Sequence, residues 1–171
     1  AIYVKEKYLK ELKPYQTGGA TIHEVDFNSS TLLDSPYKFE AGTQNIAGVI
    51  GFGKALEYIN HIHYENIESI ERKVYKYLND ELAKLPDIIF YNDIHDSIGS
   101  RSFNFKGIVH DDIGILVDKM NIALRVGHHC AQPIMKKLGI RGTIRVSTAF
   151  YNDYTDVDKL IEALQRALKM L

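Results

Sequence analysis

The sequence has one cysteine, no tryptophan and four prolines in 171 residues, and its net charge is only −1. A lone thiol cannot form an intramolecular disulfide, which argues against a disulfide-built secreted module and predicts a reducing, cytoplasmic location. The small net charge gives no sign of non-specific nucleic-acid binding. No apolar run has the length that a membrane-spanning helix needs, whereas 45% hydrophobic residues suffice for a globular core.

The first residues of the chain bear on whether it begins as it was synthesised. Residues 1–5 carry neither the long apolar stretch nor the cleavage site of a signal peptide, and there is no initiator methionine. Residues 1–45 show no apolar pattern sufficient for a core of their own. The opening is therefore expected to be cut from a longer chain, or processed, and residues 1–45 to be the edge of something larger.

Apolar spacing predicts two long helices in the middle of the chain. The first runs from about residue 45 to 60, and the second from about 65 to 85, where Pro86 ends it. The buried stripe of the second helix comprises Ile67, Ile70, Val74, Leu78, Leu82 and Leu85.

Short strands and helices alternate after residue 86. The pattern predicts strands at 88–91, 101–106, 122–126 and 143–150, and helices at 111–120, 133–138 and from Thr155 onward, with Thr155 and Asp158 as an approximate capping box. A small sheet with helices packed on one face is the economical arrangement, in an α+β (α/β) fold. We divide the chain into 1–45, the connecting helices 46–86, and a small domain 87–171.

The cysteine lies in the segment Arg-Val-Gly-His-His-Cys-Ala-Gln-Pro, residues 125–133. A lone Cys130 beside two imidazoles on a loop is a candidate nucleophile, because thiolate is the reactive form and basic neighbours raise its population. The alternative is a small buried hydrophobe. A metal site is not expected, because the adjacent His128, His129 and Cys130 do not converge easily on one tetrahedral ion.

Two further positions carry groups that could bind anions. Gly42 and Thr43 precede a helix, whose free backbone N–H groups suit a phosphate, although Thr43 or Asn45 could equally be a plain N-cap. Arg145 lies on the polar face of its strand and could grip a carboxylate, and Arg125 is similar. The alternative for both arginines is an ordinary solvated strand face.

Taken together and in this order, the segments resemble a known family. Residues 125–133 resemble the active-cysteine segment of group II cysteine desulfurases, in the class V aminotransferase branch of fold-type I pyridoxal-phosphate enzymes. Residues 39–45 resemble the family's phosphate loop, residues 144–147 its substrate-carboxylate strand, and residues 14–19 its Gly-rich loop. The resemblance implies the small C-terminal domain of that fold plus the rim of the large domain.

What the resemblance implies for function is specific. Cys130 would take sulfur from L-cysteine as a persulfide, releasing L-alanine, for transfer to an acceptor protein, for example in iron–sulfur cluster assembly. Arg145 would bind the substrate carboxylate, with Arg125, His128 and His129 around the thiol. Gly42 and Thr43 would donate to the phosphate of pyridoxal phosphate across the interface of a homodimer.

The resemblance also has departures. Gln44, Ala20, Thr21 and Val146 differ from common family residues, but none removes a donor or charge that the mechanism needs. No lysine here has the Ser-x-His-Lys context of the Schiff-base lysine, so we expect the chain to be inactive without a lysine-bearing N-terminal portion. The alternatives are a selenocysteine lyase, a non-enzymatic sulfur-relay or scaffold module, or another class V activity in which Cys130 is incidental.

Overall fold

The computed structural model describes residues 1–93, 97 and 99–171. Contacts within the chain group these residues into two compact units, 1–59 and 60–171. The division into 1–45, 46–86 and 87–171 stays a prediction. Within the described residues, no helix combines the length and apolar character that crossing a membrane requires.

The first unit is built around a short hairpin. Strands β1 (Ile22–Val25) and β2 (Ser30–Leu32) pair antiparallel, with a turn between them. Helix α1 (Glu6–Leu9) precedes the hairpin, and a 3-10 turn (Tyr37–Phe39) follows it. Helix α2 (Ile46–Ile62) begins in this unit and matches the first predicted long helix.

The second unit contains a four-stranded antiparallel sheet. The strands are β3 (Ile88–Phe90), β4 (Ser100–Phe105), β5 (Arg125–Gly127) and β6 (Thr143–Ser147), in the spatial order β3-β4-β6-β5. The helices are α3 (Tyr64–Leu82), α4 (His110–Asp118), α5 (Gln132–Leu138) and α6 (Tyr154–Leu168).

The core of this unit lies between one face of the sheet and three helices. Alternating residues of β4 and β6 point to that face, and they join the buried stripes of α3, α4 and α6 in one cluster that includes Phe103, Phe105, Ile144, Val146, Leu78, Leu82, Ile113, Val117, Leu160 and Leu164. A sheet with helices packed on one face is therefore confirmed. Burial of Ile144 and Val146 also leaves the polar residues of β6 on the opposite face.

Several predicted boundaries were wrong. Strand β5 begins at Arg125 rather than Ile122, because Asn121 adopts a left-handed φ of 62° and the Ile122 N–H closes back onto the Val117 carbonyl. Strand β6 ends at Ser147, before the predicted Phe150.

Two predictions about helices also need correction. The capping box of α6 is formed by Asp153 and Asp156 rather than by Thr155 and Asp158. Ile70, which the spacing placed in the buried stripe of α3, is 39% exposed, while the other five stripe residues are buried. Ile70 therefore lies at the exposed edge of the stripe.

Helix α4 offers a matched test of the core. Ile113 is completely buried, whereas Ile115 on the same helix is 56% exposed. We expect Ile113→Ala to lower the free energy of unfolding by about 3 kcal/mol and Ile115→Ala by less than about 1 kcal/mol, because only the former leaves a cavity. Urea unfolding measures both, and equal losses would contradict this packing.

Candidate active site

Cys130 lies in the turn between β5 and α5. Gly127 ends the strand with a φ of 106°, and His129 and Cys130 follow with φ values of 54° and 59°. The Ala131 N–H donates to the His128 carbonyl at 2.8 Å, which closes the turn. Cys130 is a free thiol and is exposed, so it is not the buried hydrophobe that the sequence left as an alternative.

A guanidinium faces the sulfur of Cys130. Arg125 Nη2 lies 3.7 Å from Cys130 Sγ, within reach of a hydrogen bond to sulfur. Arg125 is therefore a charged group that the fold places against the sulfur. The contact joins Arg125, at the start of β5, to the thiol in the turn that follows the same strand.

Arg125 and Arg145 are direct partners across the β5–β6 ladder. Directly opposed residues of an antiparallel pair point to the same face, and like charges in this position repel each other. Arg145 is half-buried, and its Nε is buried with no hydrogen-bond partner among the described residues. Two opposed guanidinium groups with such an unused donor form an arrangement that an anion, such as a carboxylate, stabilises.

His128 is exposed, and its Nδ1 accepts the Cys130 backbone N–H at 3.1 Å. Its ring therefore supports the backbone of the turn. Among the residues predicted from the sequence, Cys130, Arg125, Arg145, His128 and His129 lie together at this end of the sheet.

His129 turns inward, toward β6. Its Nε2 lies 2.8 Å from the Thr143 hydroxyl and 3.1 Å from the Thr143 carbonyl oxygen. Burial, and then the nearby positive charge of Arg145, lower the pKa of His129 below its usual value. Thr143 is almost completely buried. Sequence reasoning did not find this threonine, because nothing in its spacing distinguishes it from any β-branched strand residue.

The predicted Gly-rich loop and phosphate loop also lie together, in the first unit. Their residues line an open cleft of about 400 Å³, which comprises Gln16, Thr17, Gly18, Gly19, Ala41 and Gly42. Buried Thr21 holds the first loop by accepting the Gly18 N–H at 3.0 Å. The Gly42 N–H donates to the Gly19 carbonyl at 2.8 Å, so it joins the two loops.

Asn45 caps the helix that follows. Its Oδ1 accepts the Gly48 N–H at 3.1 Å, and a Cβ at Gly48 would collide with this side chain. The cap that the sequence left open between Thr43 and Asn45 is therefore Asn45. The Thr43 side chain is exposed at the mouth of the loop. Among the described residues, no three His, Cys, Asp or Glu side chains are grouped in a way that could hold a metal ion.

Residues 1–160 match the family model of class-V aminotransferases. Among curated proteins, the chain is 40% identical to the cysteine desulfurase of Wigglesworthia glossinidia brevipalpis over 172 residues. It is 41% identical to the cysteine desulfurase CsdA of Escherichia coli K12 over 170 residues. Each alignment covers 99% of this chain but 42% of the relative.

Solved structures agree with this assignment. The crystal structure of Escherichia coli CsdA, in an S-sulfonic acid form, matches with a TM-score of 0.89 and 41% identity. The apo structure of a cysteine desulfurase from Thermococcus onnurineus NA1 matches with a TM-score of 0.90 and 36% identity. Both cover 99% of this chain and 42% of the solved chain. The chain therefore belongs to the class-V aminotransferase family, and it spans about two-fifths of the length of the cysteine desulfurases that it resembles.

Proposed function

We propose that this chain is the C-terminal portion of a pyridoxal-phosphate-dependent cysteine desulfurase. The observation that carries the proposal is the exposed thiol of Cys130 next to the paired guanidinium groups of Arg125 and Arg145. Sulfur is a soft electrophile that a thiolate attacks readily, and a half-buried guanidinium with an unused donor suits the carboxylate of an amino acid. The curated relatives are cysteine desulfurases, which supports L-cysteine as the substrate.

The proposed step transfers one sulfur atom. The Cys130 thiolate attacks the sulfur of L-cysteine, so that a new S–S bond forms while the C–S bond of the substrate breaks. The carbon keeps the electron pair of that bond and takes up a proton, which gives L-alanine and a persulfide on Cys130. Arg145 holds the substrate carboxylate, and Arg125 stabilises the negative charge on the attacking sulfur.

The cleft of the first unit suits the phosphate end of the cofactor. Gly19 and Gly42 present backbone without a Cβ, and the space where a Cβ would lie is open at both positions. Gly42 has a φ of +77°, which favours glycine. The Gly42 N–H is already donated to the Gly19 carbonyl. We therefore assign the hydroxyl and the backbone N–H of Thr43 as the donors to the phosphate. Pyridoxal phosphate, when bound, accepts electron density and so makes the C–S bond breakable.

Helix α2 supports the need for a further portion of polypeptide. None of its residues is buried, although it exposes Ile46, Val49, Ile50, Phe52, Leu56 and Ile59 by 39–66%. An exposed apolar surface of this extent on one helix marks a contact with another part of the protein. We assign this surface to the lysine-bearing N-terminal portion, because the relatives carry a further three-fifths of their length outside the match. We further expect a homodimer, a reducing cytoplasmic location and a protein acceptor of the sulfur.

Co-expression with the unmatched part of Escherichia coli CsdA tests the activity. We expect the chain alone, with pyridoxal phosphate and L-cysteine, to release no alanine, and the complex to release alanine with one added sulfur atom on Cys130. Cys130→Ser should reduce turnover by at least about 100-fold. Arg145→Lys should raise KM by about tenfold, whereas Arg166→Lys on the exposed side of α6 should change neither constant.

Each outcome of this experiment discriminates between functions. Alanine release by the chain alone would contradict the requirement for a second portion. A complex that binds the cofactor yet releases no alanine from L-cysteine would contradict the desulfurase itself. If Cys130→Ser spares release of selenium from L-selenocysteine, the enzyme is a selenocysteine lyase.

The surface of α2 gives a separate prediction about association. Ile50→Glu should weaken binding to the N-terminal part of CsdA by about tenfold or more, because a charge would enter a desolvated apolar contact. Lys54→Gln, on the same helix, loses only an exposed pair with Glu57 and should bind normally. Titration calorimetry measures both variants, and equal affinities would show that α2 is not the contact surface.

A further inference from the structure

The backbone at the reactive thiol is unusual. His129 and Cys130 have consecutive φ values of 54° and 59°, in the left-handed region that residues other than glycine seldom occupy. Such residues persist when surrounding contacts hold them, and they cluster at active sites. Some contact must therefore hold this turn in place.

The side chain of His129 ties the turn to β6. Its Nε2 contacts both oxygens of Thr143, at 2.8 Å to the hydroxyl and 3.1 Å to the carbonyl. Thr143 is 1% exposed and lies two residues before Arg145 on the same strand. The contact therefore links the backbone that carries the thiol to the strand that carries the predicted carboxylate-binding guanidinium.

The chemistry of the partners favours one state of the ring. A carbonyl oxygen can only accept, so Nε2 uses its contacts with both Thr143 oxygens when it carries the imidazole proton. Nδ1 then carries a lone pair, and it is buried with no hydrogen-bond partner among the described residues. The charged or titratable groups that face the ring are Arg145 and Arg125 from the sheet and His110 from α4. A proton on Nδ1 would add a further positive charge to this group, which disfavours it.

We propose that His129 is a positioning residue: a neutral imidazole, protonated on Nε2, that locks the Cys130 turn onto Thr143 and so keeps the sulfur against Arg125. The proposal rests on the proposed function in that it takes Cys130 as the reactive group. It assigns His129 no part in proton transfer, because the only proton of the ring is held by Thr143.

Imidazole nitrogen NMR tests the state of the ring directly, on the 171-residue chain without cofactor. Long-range nitrogen–proton correlation spectra distinguish the two neutral tautomers and the protonated form, and His129→Gln assigns the signal among the seven histidines. We expect the Nε2–H tautomer at pH 7.5. An Nδ1–H tautomer, or a protonated ring at this pH, would overturn the proposal. Packing of the ring without a hydrogen bond would not select one tautomer, so the measurement distinguishes the two explanations.

Two substitutions separate the hydrogen bond from the backbone preference. Asparagine tolerates a left-handed φ well, but its side chain is too short to reach Thr143, whereas glutamine places an N–H near the position of Nε2. We expect His129→Asn to slow alkylation of Cys130 by iodoacetamide at pH 7.5 by about fivefold, because the attacking sulfur loses its contact with the Arg125 guanidinium. His129→Gln should recover most of that loss.

Because Cys130 is the only thiol, the alkylation rate reports on this position alone. His23→Gln, a histidine exposed in the first unit, serves as the matched control and should react at the unaltered rate. Equal rates for the unaltered chain and His129→Asn would refute the positioning role, as would a failure of His129→Gln to recover any reactivity.

Stability against pH provides an independent check that does not depend on the variants' reactivity. The pKa of His129 is lowered by burial and by Arg145, so below its ordinary value of 6.5 the unfolded chain binds this proton more readily than the folded chain. The free energy of unfolding should therefore fall on acidification below pH 6.5, and fall less in His129→Gln. An identical pH dependence in the two proteins would mean that the ring is not held neutral.

These measurements need no cofactor, so their failure is distinct from failure of the desulfurase proposal. If the tautomer and the rescue are found but the complex releases no alanine, the turn is positioned for another thiol chemistry. If alanine is released but the Nδ1–H tautomer is found, the reaction stands and the role of His129 is refuted.

Discussion

The candidate site depends on the register of the β5–β6 ladder. Arg125 pairs with Arg145, Val126 with Ile144, and Gly127 with Thr143. A slip of one residue would turn every side chain of a strand to the other face, which would expose Ile144 and drive Arg145 into the core. Because Ile144 is completely buried, the hydrophobic core itself holds Arg145 on the face where the thiol lies.

The same register places two positive charges opposite each other, an arrangement that disfavours folding unless a negative charge lies between or near them. The thiolate of Cys130 and the carboxylate of an amino acid are both groups of that sign. The two opposed guanidinium groups therefore favour negatively charged groups at this site, including those that the proposed reaction would bind and form. The exposed position of Cys130 would leave the proposed persulfide accessible to an acceptor.

The structure brings the four recognised segments together in two pairs, one in each compact unit. The Gly-rich and phosphate loops form the cleft of the first unit, and the cysteine turn and carboxylate strand form the thiol site of the second. In the proposed function each pair would contribute to pyridoxal-phosphate chemistry, and the lysine that holds the cofactor would come from the N-terminal portion. Helix α2 has no buried residue, and the matched relatives are more than twice as long as this chain's match to them.

Helix positions could be predicted because apolar residues recur at helical spacing and the helices pack on a core. Strand ends could not, because they depend on backbone contacts such as the bond from Ile122 to Val117. Alternation along β4 places Phe103 and Phe105 in the core, but it also carries Arg101 there, where the guanidinium lies 4.0 Å from the Phe90 ring centroid. Residue chemistry alone would have left that arginine in solvent.

The sequence by itself determined the chemical groups available: a single soft nucleophile, guanidinium groups for anions, and glycines for a loop that approaches a phosphate. It also determined the helices, since periodicity is a local property. Only the tertiary structure decided which groups meet. The opposition of Arg125 and Arg145, the bond between His129 and Thr143, and the use of the Gly42 N–H by Gly19 all join residues that are far apart or indistinct in sequence. Their positions follow from strand register and burial, which depend on the whole core.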